Sequence, residues 1–213
     1  MNARRVKFEQ TPDFLTFGKT RYFRTYTTDA HCSEPKITGN VISMLYRVYY
    51  YTLGAHGNMF FKTFAFTLDP VVRISSLESL FEPENADVAL TIIRDSAREQ
   101  LRITLEIEDQ EGESNFASEA MLGGTENWDC FSAFIFDADA IEIHFAPYQV
   151  AAYAYGAPAI SVRYDKFVHL MRKLYVQSLN IEGLLWERER QNLPKGMAPM
   201  PSGPEIRTDE AAK

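Results

Sequence analysis

An α+β fold, an antiparallel β-sheet with two main helices packed on it, follows from three stretches of the sequence. The first is residues 41–69, VISMLYRVYYYTLGAHGNMFFKTFAFTLD, where two runs rich in Tyr, Phe and Val flank the glycine-bounded segment Gly54-Ala55-His56-Gly57-Asn58. Aromatic and β-branched side chains suit a pleated, half-buried surface, and Gly-Asn tolerates the positive φ of a tight turn. Residues 42–53 and 59–68 are therefore expected to pair as a long hairpin. The second stretch is 84–102, where Ala89, Ile92, Ile93, Ala97 and Leu101 recur at three- and four-residue spacing, as on a helix with one apolar face. The third follows Asp165, a residue suited to an N-cap; Phe167, Leu170, Met171, Leu174, Ser178 and Ile181 predict a last helix reaching residue 181 with these side chains inward.

Between these stretches the chain reads in order as follows. Residues 1–20 are weakly patterned, 21–28 have strand composition, and 35–40 punctuate the approach to the hairpin. In the second hairpin run Phe60, Phe64, Phe66 and Leu68 share one face, with Lys62 on that face expected near an edge. Asp69-Pro70 turns the chain, and 71–81 reads as irregular. Residues 106–118 form an acidic loop. A second hairpin is expected from 129–136 and 140–146 about Asp137-Ala138-Asp139, with Ile141, Ile143 and Phe145 on one face and Glu142 and His144 on the other. Pro147 ends it, 148–156 is a loop of three tyrosines and small residues, and 159–163 is a short strand. The Pro-rich, charged stretch 191–213 predicts a disordered tail to a single domain over 1–190.

Composition narrows the classes of function. With 213 residues, 46% of them apolar and 13% aromatic, the chain can bury a substantial core. No run of about 18 apolar residues occurs, so no membrane span is expected. Arg4 and Arg5 are not followed by an apolar segment, so no signal peptide is expected; the chain is cytoplasmic or a mature form whose leader was removed. Cys32 and Cys130 can pair or stay separate, and neither lies in a CxxC motif that would point to zinc or thiol redox chemistry. The net charge is −7, and residues 103–162 hold eleven carboxylates without one Lys or Arg. Such a field favours basic partners and opposes phosphate backbones, which disfavours nucleic acid.

Three segments together carry a family resemblance. They are Tyr49-Tyr50-Tyr51-Thr52-Leu53-Gly54-Ala55-His56-Gly57-Asn58; FAFTLDPVVRISSLESLF at 64–81; and Phe145-Ala146-Pro147-Tyr148-Gln149-Val150 through Tyr155-Gly156 to Tyr164. Over residues 37–176 the chain resembles the C-terminal domain of unknown function of the lysozyme-sensing anti-sigma factor RsiV, a domain that also occurs in the peptidoglycan deacetylase PdaC. The resemblance implies an α+β domain linked to cell-wall chemistry that acts by binding. The sigma-binding and membrane segments of an anti-sigma factor are not matched. Nor is the helix that family members place before the hairpin, since Gly39-Asn40 runs directly into Val41.

The candidate site residues fall in two groups. The turn motif Gly54, His56 and Gly57 offers an imidazole able to act as acid, base or ligand, or simply to hold the turn. His31, His144 and His169 have no metal-ligand spacing, Asp137 and Asp139 read as turn residues, and no GxSxG, HExxH or phosphate loop occurs; no cofactor or metal is expected. The second group is for partner binding. Tyr148, Gln149, Tyr153 and Tyr155 form a loop of the kind that gives large contact area at low entropy cost. Trp128 is flanked by polar and acidic neighbours, and Glu106, Glu108, Asp109, Glu111 and Glu113 make the acidic loop. The function expected is a non-enzymatic module that binds a basic protein as inhibitor, immunity or sensor protein, with a lysozyme-type muramidase as the partner the resemblance implies. The rival expectations are a hydrolase of cell-wall polysaccharide using His56 and an assembly protein with an extensive apolar surface.

Overall fold

The structure, a computed structural model, describes residues 15–17, 20–22, 26–107 and 116–192, with side chains over 26–107 and 117–187. Strands β1 (Leu15–Phe17) and β2 (Thr20–Tyr22) pair with each other. The larger sheet holds β3 (Thr27–Cys32), β4 (Lys36–Thr38), β5 (Val41–Tyr51), β6 (Asn58–Leu68) and β7 (Val71–Ile74), with β3 and β4 both on one side of β5 and β7 beyond β6. The predicted hairpin is β5–β6, in register from Val41↔Thr67 to Tyr50↔Asn58. Helix α1 (Ala86–Thr104) buries Ala89, Ile93, Ala97 and Leu101 of the residues its periodicity marked, with Ile92 half-buried against the same core. Beyond α2 (Phe116–Gly123) comes a second antiparallel sheet, β8 (Phe134–Phe136), β9 (Ala140–His144) and β10 (Ala159–Arg163), in the order β10-β9-β8. The chain is α+β, with α1 packed along β10 of this smaller sheet rather than on the hairpin.

The two sheets meet through side chains. Hydrogen bonds from His144 N to Ala133 O and from Asp137 N to Ala140 O turn the odd-numbered backbone groups of β8 toward β9. The even-numbered groups face the hairpin, and Phe134, Ile135 and Phe136 are all buried. A buried peptide group without a partner is costly, so each needs one. Hydroxyls supply them: Phe136 N–H donates to Ser43 Oγ at 3.1 Å, Thr38 Oγ1 donates to the Phe136 carbonyl at 3.2 Å, and Thr63 Oγ1 donates to the Ser132 carbonyl at 3.0 Å. This seam explains which hairpin face is internal. Small residues (Ser43, Thr63, Ala65, Thr67) line it so that a backbone can approach, and the Phe60, Phe64, Phe66 and Leu68 face is the outer one, half-buried to exposed. Lys62 lies on that outer face opposite Tyr46 and is exposed.

One corner of the interface is charged. Lys36 Nζ bridges Asp137 Oδ2 at 2.6 Å and Glu142 Oε2 at 3.1 Å. His144 Nε2 lies 3.0 Å from Glu142 Oε1, yet the approach is too oblique for a hydrogen bond and leaves that nitrogen without one. Burial holds the His144 imidazole below its ordinary value, Glu142 pulls the other way, and Lys36 and Arg47 reinforce the lowering. The Asp137 carboxyl is lowered first by the Lys36 hydrogen bond and then by the Ala138 amide.

Several expectations are corrected. Residues 164–181 do not form one helix: 3-10 turns at Tyr164–Lys166 and Val168–Leu170 precede a short α3 (Lys173–Ser178) and then α4 (Glu182–Asn192). Phe167, Val168, Leu170 and Met171 are all buried, while Leu174, expected inward, is exposed. The backbone there is committed elsewhere, with Arg172 N–H donating to the Leu80 carbonyl and Met171 bridged to Phe81. Residues 71–74, read as irregular, are β7, while 128–131 form a 3-10 turn rather than the start of a strand. Residues 191–192, assigned to the tail, end α4, and 193–213 lie outside the described residues. Gly39, at φ 56°, brings the turn before β5 so close to α3 that a Cβ would sit 2.5 Å from the Ser178 carbonyl oxygen.

Ser43→Ala leaves the buried Phe136 amide unpaired and is expected to cost about 1–3 kcal/mol in denaturant unfolding; an unchanged midpoint would remove the seam as a support. The His144 value is depressed in the folded state, so below the ordinary 6.5 the unfolded chain binds more protons. Stability is therefore expected to fall as pH drops from neutral through 6.5 and on toward the folded value, and His144→Gln to flatten that fall. The loss from Asp137 begins only below its ordinary 3.8, which separates the two in a pH series of melts.

Candidate functional site

The glycine-bounded loop between β5 and β6 and the tyrosine loop at 148–156 meet at the hairpin tip. The positive φ in the first falls on Leu53, at 67°, and neither Gly54 nor Gly57 is among the glycines with positive φ. Gly57 leaves room for a neighbouring ring instead. It is buried beneath Tyr49, and a Cβ there would lie 1.9 Å from the Tyr49 hydroxyl oxygen. The open site at Gly54 would meet nothing nearer than 3.7 Å.

His56 sits between the two loops. Its Nδ1 is 2.8 Å from the Gly57 carbonyl, which can only accept, so Nδ1 carries the proton and Nε2 accepts from the Tyr148 hydroxyl at 3.2 Å. The Tyr153 ring stacks on the imidazole with centroids 4.3 Å apart, and its hydroxyl donates to the Gly57 carbonyl at 3.2 Å. Tyr148 and Tyr153 are 5.3 Å apart, ring to ring. Positive φ at Tyr148, 70°, turns this side chain toward the hairpin. Tyr148, Tyr153 and Tyr155 remain 53%, 38% and 54% exposed. Rings fixed on one side and open on the other can take an incoming surface with little further loss of freedom.

Gln149 is placed differently. Its Oε1 accepts from Ala146 N–H at 3.2 Å, and its Nε2 donates to the Gly124 and Cys130 carbonyls at 3.3 and 2.7 Å. It positions the tyrosine loop against the 124–130 segment instead of facing solvent. Trp128, half-buried, stacks on Phe81 at 5.6 Å. Glu106 is exposed just past the end of α1, and Glu108, Asp109, Glu111 and Glu113 lie outside the described residues. Asp137 and Asp139 turn to different cations, Lys36 and, at 2.9 Å, Arg163. Tyr49, a part of the cluster that sequence reasoning missed, is betrayed only by register: alternation along β5 puts it on the inner face opposite Met59, beside the loop.

Other groups add little chemistry. Both cysteines are free, Cys32 paired across strands with Tyr46 and Cys130 near the Gly123 carbonyl. Among the described residues no cluster of three or more His, Cys, Asp or Glu could hold a metal ion, and no helix is long and apolar enough to cross a membrane. A cleft of about 510 Å³ beside Gly39 has Lys36 and Asp137 in its wall, but these neutralise each other.

Residues 78–165 match a family described as a protein of unknown function (DUF3298). A crystal structure of a DUF3298 family protein from Pseudomonas aeruginosa PAO1 superposes with a TM-score of 0.58 at 12% identity, over 70% of this chain and 63% of that one. A family member from Bacteroides fragilis NCTC 9343 gives 0.54 at 19% identity, over 73% and 58%. At these identities the likeness is one of fold, and the chain spans less than two thirds of either relative. No curated protein matches it.

Gly57→Ala is expected to push Tyr49 aside and cost about 1–3 kcal/mol by overpacking, whereas Gly54→Ala stays within about 0.5 kcal/mol. Urea denaturation of the two variants checks this, and equal effects would refute the close approach.

Proposed function

We propose that the protein is a non-enzymatic binding module that docks a basic partner protein on the tyrosine cluster at the hairpin tip. The observation that carries this reading is the open ring cluster itself: Tyr148 and Tyr153 are held against His56 and Gly57 on one side and exposed on the other. Aromatic anchors of this kind dominate the energetics of protein interfaces. The charge supports a basic partner, since the chain carries −7 overall and residues 103–162 contribute carboxylates alone. The resemblance to the RsiV C-terminal domain points to a lysozyme-type muramidase, with the protein acting as inhibitor, immunity or sensor protein. The rival reading, a polysaccharide hydrolase using His56, is less well supported because both ring nitrogens engage a carbonyl and a tyrosine hydroxyl rather than a carboxylate.

Binding kinetics against a lysozyme-type muramidase test the proposal. Exposed charges are screened over about 8–10 Å at physiological salt, so the association rate is expected to fall as salt rises. Neutralising Glu106, Glu108, Asp109, Glu111 and Glu113 together is expected to slow association at nearly unchanged stability. Tyr153→Ala is expected to speed dissociation about tenfold or more. No binding would overturn the muramidase assignment. Turnover of a wall polysaccharide that His56→Ala abolishes at unchanged stability would overturn the non-enzymatic reading.

A further inference from the structure

Strand β6 has an edge that the described residues leave open over 59–63. Leu68 N–H donates to the Asn40 carbonyl at 2.8 Å, so the even-numbered backbone groups of β6 face β5 and the odd-numbered ones face away. On that outer side β7 pairs only with Ala65, Phe66, Thr67 and Leu68. For residues 59–63, Met59 N–H is taken by Asn58 Oδ1 at 2.9 Å. Among the described residues, the Met59 carbonyl and the N–H and C=O groups of Phe61 and Thr63 have no hydrogen-bond partner. The edges of the smaller sheet, by contrast, are partly covered. Hydroxyls meet β8, and Gln100 meets the middle of β10, its amide accepting from Ser161 N–H at 3.1 Å and donating to Ser161 O at 2.9 Å. An open row of backbone donors and acceptors is a template for a further strand.

The ends of this open row differ in chemistry. At the tip end lies Gly57, whose carbonyl holds Tyr153. At the other end, Thr63 holds the Ser132 carbonyl, three residues beyond exposed Asp129 and in the same segment as exposed Glu126. Gln149 ties the tyrosine loop to the Gly124 and Cys130 carbonyls, so hydrogen bonds join the aromatic and acidic borders. On the outer face Phe60 is 44% exposed and Phe64 half-buried about the exposed Lys62, with Arg73 over the Phe64 ring, a face that takes apolar residues of an incoming strand and keeps its basic ones to the other side.

We propose that residues 59–63 of β6 are a docking strip for an extended, basic segment of the partner protein, which joins the larger sheet as an added strand between the tyrosine cluster and Asp129. This rests on the binding-module reading and gives the partner's segment a pattern: apolar residues on the outer face alternate with basic ones directed at the carboxylates, while main-chain hydrogen bonds supply affinity. A second copy of this chain is the poorer occupant, because each copy carries −7.

The test pans the full chain at low salt against a displayed library of short random linear peptides and follows enriched peptides by amide hydrogen exchange. Alternating basic and apolar peptides are expected to enrich, and the Phe61 and Thr63 amides, fast in the free protein, to become protected. Phe61→Pro removes the outward N–H at a place where an edge strand tolerates proline, and Phe61→Ala controls for the lost ring. Relative to Phe61→Ala, Phe61→Pro is expected to weaken binding several-fold to about tenfold. Exchange in the wild-type chain decides the matter if the proline variant does not fold. No enrichment, protection at Thr28 and Ala30 of β3 instead, or concentration-dependent protection of Phe61 without peptide would each overturn the inference. Peptides that Tyr153→Ala weakens but that leave Phe61 and Thr63 unprotected would overturn it too, while leaving the binding module intact.

Discussion

Strand β8 and the residues leading into it carry buried peptide groups against the inner face of the β5–β6 hairpin, where among the described residues the hydroxyls of Thr38, Ser43 and Thr63 partner them. Much of the architecture follows from that constraint. The inner face beside β8 must be small enough for a backbone to approach, so Phe64 and Phe66 of β6 lie on the outer face, while Phe61, nearer the tip, stays on the inner face against His144. The two sheets stay separate because side chains, not a ladder, join them. Lys36 then closes the corner of the interface by bridging Asp137 and Glu142, which draws two of the carboxylates in the acidic middle of the chain into internal pairs.

The seam also places the candidate site. Through Ser132 it fixes the segment that leads back to Cys130 and Gly124, and Gln149 hangs the tyrosine loop on those carbonyls. The loop is thereby set down on the hairpin tip, where His56, Gly57 and Tyr49 receive Tyr148 and Tyr153. Rigid support from beneath and open rings above are what a recognition surface needs, since little side-chain entropy remains to be lost on docking.

The parts of this legible in the sequence were those written in local periodicity. Aromatic runs about a glycine segment gave the hairpin, and three- and four-residue spacing gave α1. The Tyr148, Tyr153 and Tyr155 loop was marked by composition, and the glycine loop by its motif. Their convergence was not legible, because Tyr148 and His56 are 92 positions apart and only the tertiary fold brings them together. Ser43 carries no signal of its own in the sequence, yet it accepts from a buried backbone amide. The last helix was misread because Phe167, Leu170 and Met171 keep helical spacing while the backbone beside them bonds to Leu80 and pairs with Phe81 instead. Helix α2, eight residues long, carries too little amphipathic pattern to be seen at all.

If the hydroxyl seam is what binds the two sheets, the Phe136 amide is opened only when the sheets separate. Native-state hydrogen exchange of that one amide is the most direct test. Dependence on global unfolding, with the same protection free energy as core amides such as Ile143 in β9, is the predicted result. Exchange through a small local opening, while Ile143 stays protected, would contradict it and make the seam a surface contact of two independently stable sheets.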